Sequence, residues 1–149
     1  MLRPRNPLKA ILVAWAVAFP VSIVLAVIAR TLLPQAAPPQ FEVDGLVAIA
    51  ALVVFAPVVE TLIMGSVLLL LSALVRPEIA VALSAIGWGI AHSLAAPVWG
   101  LIIWGPFLIF SLLFVTWRRR SIWLAFLVPI GAHALQNLVP AVLIATGSA

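Results

Sequence analysis

Residues 45–75 read GLVAIAALVVFAPVVETLIMGSVLLLLSALV, and Glu60 is the one charged residue among them. A helix needs about 20 mostly apolar residues to cross the hydrocarbon core of a bilayer. This run is long enough to do so, and a helix is required because lipid offers no hydrogen-bond partner to an open sheet edge. Glu60 needs an explanation, since a charge at the centre of a span costs roughly 2.5–3.5 kcal/mol on the insertion scale.

Four further apolar runs accompany this stretch. They extend from about Leu8 to Ala29, Ile79 to Ala96, Trp99 to Trp117, and Ile122 to Ala145. The first is longer than the apolar region of about 7–15 residues in a secretory signal peptide, so we interpret it as an uncleaved span. With 66% hydrophobic and 8% charged residues, the chain is expected to be an all-α integral membrane protein. We predict one membrane domain over residues 1–149, a bundle of about five transmembrane helices with a motif-bearing core at about 45–145.

The basic residues predict the orientation of this bundle. Arg30 is alone on one side, and the other seven of the eight Lys and Arg residues fall on the opposite side. Those seven are Arg3, Arg5, Lys9, Arg76, Arg118, Arg119 and Arg120. By the positive-inside rule, the N-terminus is predicted to be cytoplasmic. We expect a multi-pass protein of the cell membrane, in a bacterial or archaeal plasma membrane. The basic residues sit at span ends and form no patch, so the expected partner is the lipid bilayer and not nucleic acid.

Four strongly polar residues lie inside the predicted spans. Counting about 1.5 Å of rise per residue from the basic end places Glu60, His92, His133 and Asn137 about 24, 21, 20 and 26 Å deep. Each one alone is as readily a polar contact between helices as a functional group. Because unrelated structural residues have no reason to share a depth, the coincidence predicts one site within the bundle. Gln136 lies about 100° around the helix from Asn137, and we interpret it as structural.

Prolines and glycines flank these positions. Pro57 precedes Glu60 by three residues and Pro129 precedes His133 by four. A proline frees a carbonyl one turn earlier, and freed carbonyls tend to line a cavity instead of facing lipid. Small residues permit close helix approach. The glycines expected to do so are Gly65, Gly87, Gly89 and Gly131.

One carboxylate and two imidazoles inside a membrane suit two chemistries. In the first, Glu60 acts as a general base on water, His92 holds the water and shuttles the proton, and His133 donates to a developing oxyanion. In the second, Glu60, His92 and His133 bind a divalent metal such as zinc, with water in the fourth position. The residue types leave both open. Cysteine is absent from the chain, which excludes a Cys nucleophile.

Three stretches resemble motifs of the CAAX protease and bacteriocin-processing family (CPBP, or Abi), which includes the type II CAAX prenyl endopeptidases. They are Ala56 to Gly65, Ser84 to His92, and His133 to Asn137, the last similar to His-x-x-x-Asn/Asp. The resemblance covers about residues 50–140. It implies an intramembrane endopeptidase acting on a membrane-associated, hydrophobic or prenylated peptide. Glu60 is then the base, His92 its partner, and His133 with Asn137 the oxyanion donors, with Trp88 expected on the wall of the substrate site.

The chain departs from the family pattern at two positions. The family usually shows Glu-Glu-x-x-x-Arg in the first motif. Counting from Glu60 places Thr61 at the second Glu and Gly65, the residue after Met64, at the Arg. Glu and Arg four apart on a helix pair with each other, so their joint loss removes an ion pair as a unit. Two alternatives to a protease follow. One is a non-catalytic CPBP-like protein with a partner-binding or immunity role, and the other is a small transporter or proton relay.

Overall fold

The computed structural model describes residues 5–148, and within this range the chain is helical, with no strand. Arg3, which contributed to the predicted orientation, lies outside the described residues. The five helices are α1 (Pro7–Leu32), α2 (Gly45–Leu74), α3 (Pro77–Ser93), α4 (Pro97–Arg118) and α5 (Ile122–Ala145). The prediction of an all-α membrane bundle is confirmed.

Four of these helices are long and apolar enough to cross a membrane, and α3 is the shorter one. Its 17 residues span about 25 Å, at the short end of the range for spanning helices. The predicted third span extended to Ala96, but the helix ends at Ser93. Pro97 explains the difference, because the residue before a proline is disfavoured in the helical region, and Ala96 is extended at φ −155° and ψ 124°.

All the described basic residues except Arg30 gather at one end of the bundle. The Arg120 guanidinium donates a hydrogen bond to the Arg5 carbonyl at 2.7 Å, which joins the start of α1 to the turn between α4 and α5. The α2–α3 turn carries Arg76 and lies at the same end by chain direction, while Arg30 ends α1 at the other. This distribution agrees with the pattern read from the sequence, and the cytoplasmic location of the N-terminus stays a prediction.

Helix α2 changes its hydrogen-bonding register shortly before Glu60. It is α-helical over Gly45–Ile49, π-helical over Ala50–Phe55 and α-helical again over Ala56–Leu74. In the π-helical register the N–H of Ala56 bonds to the carbonyl of Ala51. The next residue is Pro57, which has no N–H to offer the Leu52 carbonyl. The proline therefore frees a carbonyl one turn earlier, as the sequence predicted.

Helix α4 forms the centre of the bundle. It packs against each of the other four helices, most extensively against α1, α3 and α5, while α5 also contacts α1 and α2. The largest fully buried side chains on α4 are Phe107, Phe110, Phe114 and Trp117. Many Leu, Ile and Val side chains on the outer faces are exposed, as expected for surfaces that meet lipid.

Helices α3 and α4 cross closely through glycine. A Cβ added to Gly100 would collide with the Gly89 carbonyl and the Ser93 hydroxyl. Gly65, Gly89 and Gly131 also meet a neighbouring helix, as predicted. The same prediction is wrong for Gly87, which faces open space.

Candidate active site

Three ionisable side chains from three helices meet inside the bundle. Glu60 comes from α2, His92 from α3 and His133 from α5. The Nε2 atoms of His92 and His133 lie 4.0 and 3.8 Å from Glu60 Oε2. Both distances exceed those of direct hydrogen bonds. The three groups therefore surround a common space, and the juxtaposition predicted from their shared depth is found.

His92 is held in a defined orientation near the end of α3. Its Nδ1 lies 2.9 Å from the Trp88 carbonyl, one turn earlier. A carbonyl only accepts, so Nδ1 carries the hydrogen, and a neutral ring then has its lone pair on Nε2. Trp99 packs edge-on against the ring, with centroids 4.6 Å apart. His92 thus presents a hydrogen-bond acceptor to the space beside Glu60.

His133 is positioned by aromatic packing. Its ring stacks on Phe110 with centroids 4.9 Å apart and meets Phe107 edge-on at 5.3 Å. The side chain is buried, and Nδ1 has no hydrogen-bond partner in the protein. In the tautomer with hydrogen on Nε2, the N–H points toward the Glu60 carboxylate, which is favourable. In the other tautomer, the Nδ1–H would be buried without an acceptor, and the Nε2 lone pair would face the negatively charged carboxylate. The favoured neutral form therefore donates from Nε2 toward Glu60.

Asn137 lies one turn beyond His133 and fastens α5 to α2. Its Nδ2 donates a hydrogen bond of 2.9 Å to the Leu52 carbonyl, the one that Pro57 leaves without a helical partner. This contact satisfies a carbonyl that would otherwise cost about 1–3 kcal/mol to bury. It also explains how the π-helical turn persists just before Glu60.

Trp88 lies behind His92. Its ring stacks on Phe107 with centroids 4.4 Å apart and an interplanar angle of 19°. The carbonyl of Trp88 orients His92, and the ring is not among the groups that line the cavity described next. Contact between Trp88 and substrate stays a prediction.

The three ionisable groups open into a cavity of about 250 Å³. Its walls come from all five helices and from the loop between α1 and α2, and most of the lining side chains are apolar. Phe41 of that loop packs edge-on against Trp99 at 5.4 Å, close to His92. The polar lining residues are Ser22, Glu60, His92, His133, Gln136 and Asn137.

A second cavity, of about 420 Å³, adjoins the first on the side of the α1–α2 loop. The two share the lining residues Pro39, Phe41, Pro140 and Ile144. The two cavities together extend from the ionisable groups toward the end of the bundle opposite the basic turns.

Sequence reasoning did not predict several residues of the cavity wall. Gln136 lines the cavity, and its hydrogen bond to Ser22 of α1 agrees with the structural interpretation made from the sequence. Phe41 and Trp99 close the same space although they lie in a loop and at a helix start.

The two positions that depart from the family pattern are buried. Thr61 is 1% exposed, and Gly65 is buried against Phe114 and Phe126, next to the fully buried Met64. A Glu and Arg pair here would be removed from water entirely, and a buried ion pair often stabilises no better than packed apolar side chains. Replacement of both residues together is therefore compatible with an intact bundle.

Zinc binding stays a prediction. Two imidazoles and a carboxylate are an adequate zinc set, and Glu60, His92 and His133 are the residues that would hold the ion. Among residues 5–148, no three His, Cys, Asp or Glu side chains are already drawn together as a set of metal ligands. The chemistry below is written for the side chains of the chain itself.

Residues 42–139 match a family described as type II CAAX prenyl endopeptidase Rce1-like. The match covers well over half of the chain and includes Glu60, His92, His133 and Asn137. No curated protein and no solved structure gives a match. The chain belongs to the Rce1-like family, which agrees with the resemblance read from its three motifs.

Proposed function

We propose that this member of the Rce1-like family is an intramembrane endopeptidase that uses Glu60 and His92 to activate water. The observation that carries the proposal is the convergence of Glu60, His92 and His133 on one space within a largely apolar cavity. Ionisable groups are costly inside a membrane bundle and are a functional hypothesis by default. The family match supports a protease in particular.

The first step is activation of water between Glu60 and His92. Two hydrogen bonds of about 2.8 Å that meet at one oxygen span about 4.5 Å, close to the 4.0 Å between His92 Nε2 and Glu60 Oε2. Such a water donates one hydrogen to the carboxylate and the other to the Nε2 lone pair. Its oxygen then attacks the peptide carbonyl carbon while Glu60 takes a proton.

The second step is collapse of the tetrahedral intermediate. The Nε2–H of His133 donates to the oxyanion. The carbon–nitrogen bond breaks, and the proton held by Glu60 passes to the leaving nitrogen. One peptide and one water thus give one carboxylic acid and one amine.

Asn137 has two roles in this scheme. One amide hydrogen bonds to the Leu52 carbonyl, and an amide nitrogen carries two hydrogens. The second is the further oxyanion donor that the family resemblance implies. The bond to Leu52 meanwhile fixes the turn of α2 that precedes Glu60.

The substrate class follows from the cavity and the family. A largely apolar cavity in a membrane bundle suits a hydrophobic segment or lipidated peptide. The family name specifies CAAX prenyl endopeptidases, so a prenylated peptide is the first substrate to test. We place the protein in the cell membrane with a cytoplasmic N-terminus, which puts the cavity nearer the outer face.

Buried aromatic side chains lie on α4 between the cluster and the basic end of the bundle. Along α4 the cluster is followed by Phe110, Phe114 and Trp117, all fully buried. A transporter or proton relay needs a polar path to both faces, and these aromatic side chains interrupt one. The other competitor is a non-catalytic family member, because Thr61 and Gly65 stand where the family usually has Glu and Arg.

A peptidase assay separates the two hypotheses. Purified protein in nanodiscs is incubated with matched prenylated and unprenylated peptides and with plain hydrophobic peptides, and cut sites are read by mass spectrometry. We expect cleavage by the wild type and by Glu78→Gln, whose carboxylate is exposed, and none by Glu60→Gln. A folded wild type that cuts no peptide would favour the non-catalytic role.

A further inference from the structure

The cavity beside Glu60 and the outer cavity meet at a shared boundary, and Phe41 is its largest side chain. The residues that line both cavities are Pro39, Phe41, Pro140 and Ile144. The half-buried ring of Phe41 packs edge-on against Trp99, which lines the inner cavity alone. The ring therefore stands where an elongated ligand would pass from the inner cavity into the outer one.

Phe41 is held against the catalytic groups by its neighbours. Pro38 and Pro39 lie just before it in the chain, and each has a fixed φ angle. The centroids of Phe41 and Trp99 are 5.4 Å apart, and Trp99 in turn packs against His92 at 4.6 Å. The ring is thus part of the wall of the site, although it belongs to the loop between α1 and α2.

The volumes of the two cavities indicate what this boundary selects. The inner cavity has about 250 Å³, which is below the roughly 300–1,000 Å³ of sites for drug-sized ligands, whereas a cavity of about 150 Å³ admits benzene. It therefore has room for the scissile peptide group with one compact apolar side chain. A long alkyl or prenyl chain needs the outer cavity of about 420 Å³ as well, and it reaches that cavity past Phe41.

We propose that Phe41 is a specificity-determining residue, whose ring limits the length of the apolar chain that a substrate carries beside the scissile bond. A side chain of the size of leucine fits between the ring and the catalytic groups, and a longer chain meets the ring. The match to the Rce1-like family begins at residue 42, so family membership does not imply this limit. The inference rests on the proposed peptidase function and narrows its substrates to peptides with short apolar side chains at the cut.

The test varies the chain on the substrate and the ring on the protein. A peptide that the wild type cuts is made with cysteine at either residue of the scissile bond, and the cysteine is alkylated with a propyl, hexyl, dodecyl or farnesyl group. One methylene too many in an apolar pocket costs roughly 10- to 200-fold in kcat/KM. At one of the two positions, we therefore expect the dodecyl-to-propyl ratio of kcat/KM to be at least about 10-fold higher in Phe41→Ala than in the wild type. Partitioning of the peptides into the nanodisc is the same for both proteins and cancels in this comparison.

Two further variants control the experiment. Phe55→Ala removes a ring that is 67% exposed on α2 and lines neither cavity, so its ratio should equal that of the wild type. Phe41→Trp enlarges the ring and should lower the hexyl-to-propyl ratio, which tests the proposal even if Phe41→Ala does not fold. Ratios within twofold of the wild type at both positions would overturn the proposal, including the case in which all rates fall together because Trp99 no longer supports His92.

Binding separates this proposal from the peptidase function. The same peptides are bound to Glu60→Gln with and without Phe41→Ala, and their affinities are measured by displacement of a fluorescently labelled propyl peptide. If the wild type cuts no peptide but Phe41→Ala raises the dodecyl-to-propyl ratio of affinities, the proposed catalysis fails and the length limit stands. Equal ratios of affinities in the two proteins, together with equal ratios of kcat/KM wherever cleavage is seen, would overturn the length limit and leave the peptidase function intact.

Discussion

Replacing Gly100 by alanine tests whether the close crossing of α3 and α4 positions His92. A Cβ at this position would overlap the Gly89 carbonyl and the Ser93 hydroxyl, and would lie 2.8 Å from the Ser93 Cβ. Backbone atoms on α3 cannot rotate away, so α3 must shift. His92 is the residue next to Ser93, and it moves with it.

The expected magnitudes follow from this overlap. Overpacking of this kind costs about 1–3 kcal/mol of stability. A displacement of about 1 Å in an active site costs about 100-fold in rate. Gly87→Ala is the matched control on α3, because an added Cβ there meets nothing within 4 Å, and it is expected to gain about 0.5–1 kcal/mol from helix propensity.

The assay compares both variants in the same detergent. Thermal unfolding gives stability, and cleavage of one peptide gives kcat. We expect Gly100→Ala to unfold at lower temperature than wild type and to lose most of its rate, while Gly87→Ala loses neither. Identical unfolding temperatures and rates for the two variants would refute the reasoning.

Three further outcomes test other contacts. Asn137→Leu leaves the Leu52 carbonyl without a donor and should lower the free energy of unfolding by about 1–3 kcal/mol. Pro57→Ala restores a backbone N–H that can donate to this carbonyl. The double variant should therefore lose less stability than the sum of the losses in the two single variants. Thr61→Glu buries an unpaired charge and should cost about 3–5 kcal/mol. Adding Met64→Arg, three residues later on the same helix and also fully buried, should recover part of it by pairing with the new Glu; a full loss in the double variant would show that the bundle accepts no ion pair here. A zinc chelator should leave peptide cleavage within twofold of its untreated rate, and loss restored by added zinc would instead favour the metal hypothesis.

The sequence predicts the helices well because lipid imposes a length on them. Apolar runs of spanning length located all five, and the common depth of the polar residues located the site. Both the length of an apolar run and the depth of a residue can be counted along a single helix, without knowing which helices pack beside it. The end of α3 at Ser93 was missed because Pro97 acts on the turn before it, while hydropathy continues unchanged through Ala96.

Features that depend on partners between helices were beyond the sequence. The π-helical turn of α2 requires both Pro57 and a donor from Asn137 on another helix. Gln136 and Asn137 point in directions about 100° apart around the helix, but the cavity is wide enough for both residues to line it. Gly87 and Gly89 look equivalent in sequence, and only the crossing with α4 separates them.

The most direct measurement is the rate at which Glu60→Gln cleaves a peptide that the wild type cuts. The substitution keeps the shape of the side chain and removes the base, so kcat should fall by about 10²–10⁴-fold, with unfolding temperature and peptide KM close to wild type. Glu78→Gln, treated identically, should keep its full rate. A Glu60→Gln protein that cleaves within threefold of wild type would contradict the assignment of Glu60 as the base that activates water.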